Sequence, residues 1–165
     1  MRNIFYNGFM EYRLAKKEDV STVLTYIRKL ADYESRSDEV KISEETLKKA
    51  MFEDHLGEVV FAMEDDRTIG YCFFYTIFSS FSGKKKIYLE DLYIDEGYRG
   101  MGRGRDFLRH MAKLGIERGC EAMAWGSQNW NIPAVSLYLK IGAETENGRT
   151  HFELSQEGMI NLINE

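Results

Sequence analysis

Three stretches of this chain hold residue types that can do chemistry. The first is Arg99-Gly100-Met101-Gly102-Arg103-Gly104. Glycines let the backbone come close to a ligand and leave its N–H groups pointing outward. A helix starting at such a turn adds partial positive charge, so the segment reads either as an anion site for a phosphate or pyrophosphate or as a plain strand-to-helix joint. A P-loop is excluded, because no Gly-Lys-Ser/Thr follows. A dinucleotide fingerprint fails as well, because Arg105 or Phe107 stands where its third glycine belongs. The second stretch is the adjacent pair Glu90 and Asp91 inside an apolar segment. Two carboxylates there are costly unless paired or used. With Tyr88 and Leu92 beside it, Glu90 is expected to be desolvated and to titrate high, as a general base must. The alternative for both acids is a carboxylate satisfied by a neighbouring Arg or by backbone amides. The third is Tyr138, which by spacing alone reads as a buried helix tyrosine, since Ala134, Tyr138 and Ile141 share one helical face.

Periodicity predicts the elements that must position these residues. Residues 9–14 read as a short strand. Over residues 17–34, Val20, Val23, Leu24, Ile27, Leu30 and Ala31 recur at helical spacing, with Glu18 and Asp19 in the first turn. A second helix is expected from Ser43, an N-cap residue followed by Glu44 and Glu45. The period then changes: residues 58–64 and 68–78 predict two strands joined by a turn at Asp65-Asp66-Arg67, and 86–94 predict a third. That third strand is expected to alternate Tyr88, Glu90, Leu92 and Ile94 on one face with Ile87, Leu89, Asp91 and Tyr93 on the other. Both faces are mostly apolar, so it should be central. Further along come a helix over 102–118 with Phe107, Leu108, Met111, Ala112, Leu114 and Gly115 inward, a strand over 122–127 and a helix over 133–141. A last strand over 149–154 and a short helix from Gln156 end the chain. The fold class is α/β (α+β), with a mixed sheet and one domain over residues 1–165.

Composition removes other classes. The chain has 165 residues, one proline and a formal net charge of −5 from 27 acidic and 22 basic residues. One core and one domain suit that length. The charge balance argues against nucleic acid as partner and suits a cationic substrate, although solubility alone also explains it. Cys72 and Cys120 form no CxxC pair and His55, His110 and His151 have no metal-ligand spacing, so no metal is expected. The N-terminal residues lack a signal-peptide core and no run is long enough for a membrane span, so a cytoplasmic protein without membrane association is expected.

Taken together, these motifs resemble the GNAT superfamily of N-acetyltransferases. Arg99-x-x-Gly102-x-Gly104 matches its pyrophosphate signature. The segments Tyr88-Leu89-Glu90-Asp91-Leu92-Tyr93, Tyr98 to Gly104, Trp130-Asn131-Ile132-Pro133 and Tyr138-Leu139-Lys140-Ile141-Gly142-Ala143 are similar to the diamine (spermidine/spermine) acetyltransferases, as is Leu30-Ala31-Asp32-Tyr33-Glu34. The resemblance implies the GNAT fold, a mostly antiparallel mixed sheet flanked by helices, with acetyl-CoA as co-substrate and a homodimeric assembly. It also implies CoA contacts at Leu92, Tyr93, Ile94, Arg99, Gly100, Met101, Gly102, Arg103, Gly104, Asn131 and Tyr138, and amine contacts at Glu90 and Asp91. Glu90 corresponds to the general base, acting through a water, and Tyr138 to the acid that protonates the departing thiolate. The chemistry calls for both. An amine with pKa ~10.4 is neutral in roughly one molecule in 2,500 at pH 7, a deficit of about 4.6 kcal/mol. The cysteines lie outside the motifs, so direct attack of amine on thioester is expected.

Two departures bear on the substrate. Animal diamine acetyltransferases carry an acid in the loop before the Glu-Asp strand and a Glu-Gly-Trp group near the last strand. This chain has Ser79-Ser80-Phe81-Ser82 and Asn147-Gly148-Arg149 there, and Arg149 would repel a polyamine. A shorter amine or a lysine-like amino acid such as thialysine therefore stands beside the polyamines, with peptide and aminoglycoside amines as wider alternatives. The competing class is a non-catalytic acyl-CoA-binding regulatory module, which would keep the turn but lose the acid and the tyrosine.

Overall fold

Asp65 and Asp66 both take left-handed backbone, with φ of 49° and 61°. That is the requirement of a two-residue hairpin turn whose twist matches its strands. It joins β2 (Glu58–Glu64) to β3 (Arg67–Ser79), and β3 turns back into β4 (Lys84–Ile94). With β1 (Glu11–Leu14) and β5 (Cys120–Trp125) they form a five-stranded sheet in the order β1-β2-β3-β4-β5. Neighbours are antiparallel except β4 and β5, which are parallel. A parallel pair needs a crossover, supplied by α3 (Arg103–Glu117). This is the mixed, mostly antiparallel sheet expected. The computed structural model describes residues 10–145, 148, 150 and 152–164. They fall in two compact units, Met1–Gln128 and Asn129–Glu165, taken here in turn.

In the first unit, α1 (Val20–Tyr33) and α2 (Glu44–Phe52) cover one face of the sheet. Ser43 caps α2 as expected, its Oγ accepting from Thr46 N at 3.1 Å. Val20, Val23, Leu24 and Tyr26 of α1 and Leu47 and Met51 of α2 are buried together with Val59, Phe61 and Tyr71 of the sheet. Each such apolar side chain contributes about 1.5–3 kcal/mol by leaving water. On α3, Phe107, Leu108, Met111 and Gly115 are buried. Gly115 lies against Ile87, whose Cγ2 would stand 3.1 Å from an added Cβ.

The second unit holds α4 (Ile132–Lys140) and α5 (Gln156–Ile163). Asn131 Oδ1 accepts from Ala134 N at 3.4 Å and Pro133 occupies the first turn of α4. Ser155 Oγ caps α5 by accepting from Gly158 N at 3.1 Å. The strand expected over residues 149–154 is not found: Thr150 and residues 152–154 are unpaired backbone, while Arg149 and His151 lie outside the described residues. Alternating residue types make a segment compatible with a strand, but pairing and packing make it one, and Phe152 is 92% exposed. Asn147 also lies outside the described residues. Among the described residues, no helix is long and apolar enough to cross a membrane.

Candidate active site

The acids of β4 are placed by an irregularity in the sheet. Phe73 pairs with Asp91 and the next residue of β3, Phe74, pairs with Leu89, so Glu90 is passed over as the extra residue of a β-bulge. The bulge changes which side chains share a face. Cross-strand partners point the same way. Leu89 therefore goes with Phe74, whereas Leu92 and Ile94 go with Cys72 and Gly70 on that same side. Regular alternation predicted Leu89 and Leu92 on opposite faces, and the inserted residue corrects that.

The bulge also separates the two carboxylates. Glu90 is exposed, and Tyr75 Oη donates to its Oε2 at 3.3 Å. The desolvation expected at Glu90 is found at Asp91 instead. Burial pushes the Asp91 carboxyl up to about 6 against the hydrogen bond from Tyr71, which holds it down. Glu90 and Glu34 add to the rise and Arg36 opposes it. Tyr71 Oη donates to Asp91 Oδ2 at 2.7 Å, and burial followed by the Asp91 charge drives the Tyr71 hydroxyl far above its ordinary range. Glu34, at the end of α1, is ion-paired to Arg36 at 3.2 Å. Sequence spacing gave no sign of Tyr71, Tyr75 or Glu34 around the acids, because each comes from a different part of the chain.

β4 also outruns its parallel neighbour. Register with β5 runs to Leu89↔Trp125, so Glu90, Asp91, Leu92, Tyr93 and Ile94 continue past the last pair. Bulge and strand end coincide, which leaves this stretch of backbone flanked by β3 alone among the described strands.

The glycine turn follows. Gly100 and Gly102 take φ of 76° and 81°, the left-handed region that glycine enters at no steric cost. An added Cβ at either would meet nothing within 4 Å, so the backbone faces open space. Gly102 is the N-cap of α3 and gives no side-chain cap, which leaves the first N–H groups without an acceptor from the cap residue. Uncapped amides, left-handed glycines and a helix start fit a pyrophosphate such as that of acetyl-CoA. The two arginines of the turn face inward. Arg99 Nε donates to Ile94 O at 2.8 Å, with its guanidinium 4.4 Å over the Tyr33 ring and 4.9 Å over Tyr93. Arg103 is buried and paired with Glu64. Their side chains therefore hold the turn, and the amides and Met101, which is 51% exposed, are what it presents outward.

Of the remaining expected residues, Asn131 uses its side-chain oxygen to cap α4, and Tyr138 lies half-buried within that helix. Cys72 is buried and Cys120 half-buried, both as free thiols. Among the described residues, no group of His, Cys, Asp and Glu has the arrangement of a metal site.

The profile of the acetyltransferase (GNAT) family matches residues 24–143. A thialysine N-epsilon-acetyltransferase of Sus scrofa is 36% identical over 140 residues, covering 79% of this chain and 82% of that protein. The spermidine/spermine N(1)-acetyltransferase-like protein 1 of Homo sapiens is 26% identical over 165 residues, which is 93% of this chain and 24% of that protein. A crystal structure of an aminoglycoside acetyltransferase from an uncultured soil metagenomic sample, in complex with sisomicin, shares the fold. Its TM-score is 0.76 at 18% identity, over 89% of this chain and 96% of that one. The chain belongs to the GNAT acetyltransferase family, whose members use acetyl-CoA, and it is an N-acetyltransferase.

Proposed function

We propose that this enzyme acetylates a primary amine of a small basic molecule, lysine-like or diamine-like, with Glu90 as general base and Tyr138 as general acid. The observation that carries the reading is the bulge at Glu90, set immediately past the last β4–β5 pair. It turns an acid out of the sheet at the place where the strand's own edge is open to a ligand. Acetyl-CoA supplies the thioester. Amides of the turn from Gly100 to Gly104 hold its pyrophosphate, and the backbone of Leu92, Tyr93 and Ile94 lies alongside the rest. Asn131 adds a further contact from the start of α4.

Glu90 takes a proton from the ammonium through a water, an arrangement its exposure allows. The amine nitrogen then forms its bond to the carbonyl carbon, the carbon–sulfur bond breaks, Tyr138 gives the sulfur a proton, and the nitrogen gives up its second proton to solvent, from which the tyrosine is reprotonated. Supplying a base near the nitrogen addresses the deficit of about 4.6 kcal/mol in neutral amine. The carboxylates of Glu34, Glu90 and Asp91 favour a cation nearby. Likeness to the thialysine enzyme, together with Ser79-Ser80 where the animal diamine enzymes carry an acid, favours a lysine-like amine over a polyamine.

Asp91 supports a second reading of the base, since its carboxyl sits at about 6. Free CoA release with thialysine, lysine, putrescine and spermidine tests both. Glu90→Gln is expected to lower kcat by about 100-fold or more while acetyl-CoA still binds. Full activity in Glu90→Gln, with loss in Asp91→Asn, would transfer the role to Asp91. Silence of the unaltered enzyme with every amine would refute the substrate class.

A further inference from the structure

Glu64 and Arg103 are the buried charged residues among those described, each 6% exposed, and they meet: Arg103 Nη2 donates to Glu64 Oε1. Neither side chain takes part in the chemistry proposed above. A buried ion pair is commonly no more stabilising than two apolar side chains of similar size, so its value lies in what it specifies. This one is not optimised for strength, because Arg103 Nε is buried without a hydrogen-bond partner among the described residues.

Its position in the fold is informative. Glu64 is the last residue of β2, and Arg103 is the first residue of α3, directly after Gly102. The guanidinium also lies 5.6 Å over the ring of Tyr98, the residue before Arg99. The turn between has left-handed glycines with open space around them, and the N-cap contributes no side chain. Arg99 anchors the start of this segment to Ile94 of β4, but nothing between Gly100 and Gly102 sets the far end against the sheet. The pair ties the first residue of α3 to the end of β2, and both residues line a cleft together with Arg67, Tyr98 and Met101.

We infer that the Arg103–Glu64 side-chain pair is a positioning device for the glycine turn: it sets the affinity for acetyl-CoA by placing the turn's amides, the two side chains themselves making no contact with the ligand. The inference rests on the reading of the turn as the pyrophosphate site. Directed hydrogen bonding fixes where the α3 amides stand, whereas two flexible apolar side chains would fill the space without fixing it.

The test combines steady-state kinetics, calorimetric titration with acetyl-CoA and thermal melting. The double variant Glu64→Leu/Arg103→Met removes both charges and leaves none unpaired, so the fold is retained. It should raise KM and Kd for acetyl-CoA about tenfold or more, with kcat, the amine KM and Tm little changed. Arg103→Lys, which keeps the charge, should recover part of the affinity. If the double variant does not fold, Glu64→Gln gives the same readout through a weakened bond, expected at about threefold in Kd. Wild-type acetyl-CoA affinity in a folded variant would overturn the inference. So would a parallel loss of all kinetic parameters with Tm, which is the signature of a merely structural pair. No acetyl-CoA binding by the unaltered protein would instead remove the reading of the turn, and this inference with it.

Discussion

Asp91→Asn separates the charge of this residue from its shape. The native carboxyl sits at about 6 against an ordinary 3.8, chiefly through burial. Below the lower value both native and unfolded chains hold the proton, and above about 6 both have released it. Between them the native state keeps a proton that the unfolded chain has lost, so stability falls as pH rises through this window. The gap of about 2.2 between the two values, at ~1.36 kcal/mol each, integrates to about 3 kcal/mol. About 2 kcal/mol of it lies between pH values of about 4.5 and 7.5. Asparagine keeps an oxygen to accept from Tyr71 and has no charge to desolvate. Urea unfolding followed by tryptophan fluorescence at the two pH values gives the difference between variant and wild type. Any fixed cost of fitting the amide cancels when the two differences are subtracted. That difference should move by about 2 kcal/mol in the variant's favour at the higher pH. A difference unchanged with pH would refute the assignment of the burial cost to Asp91 and, with it, the division of labour the bulge creates.

Three further outcomes follow from the geometry. Gly102→Ala places a Cβ in open space but on backbone with φ of 81°, so the cost is conformational, about 1–2 kcal/mol, visible as a lower Tm together with weaker acetyl-CoA binding by calorimetry. Gly70→Ala should destabilise by about 1–3 kcal/mol in urea, because its Cβ would stand 2.6 Å from Tyr93 O across the β3–β4 pair, where neither strand can give way freely. Tyr138→Phe should lower kcat by about 100-fold at an unchanged amine KM, and an unaffected kcat would remove it as the acid.

Much of this protein follows from local pattern. The β2–β3 hairpin, the cap at Ser43, the apolar stripe of α1 and the glycine turn before α3 are each decided within a few residues. They were legible because helix period, turn chemistry and capping are short-range physics. Glu90 and Asp91 were also visible as acids out of place in an apolar strand. Which of them would be turned out to solvent was not. Strict alternation put Leu89 with Asp91 and Glu90 with Leu92, whereas pairing with Phe73 and Phe74 inserts a bulge that turns Glu90 outward and leaves Asp91 under Tyr71. A bulge depends on the register between two strands, and one strand's own residues do not contain that register. The described residues of the segment at 149–154 are not a strand, since an alternating pattern alone does not pair a backbone. The resemblance puts Arg99 and Arg103 among the CoA contacts without saying where their side chains go. The tertiary structure assigns their side chains inward, to Tyr33, Tyr93 and Ile94 and to Glu64, and of these Tyr33 and Glu64 arrive from distant parts of the chain only once the sheet has formed.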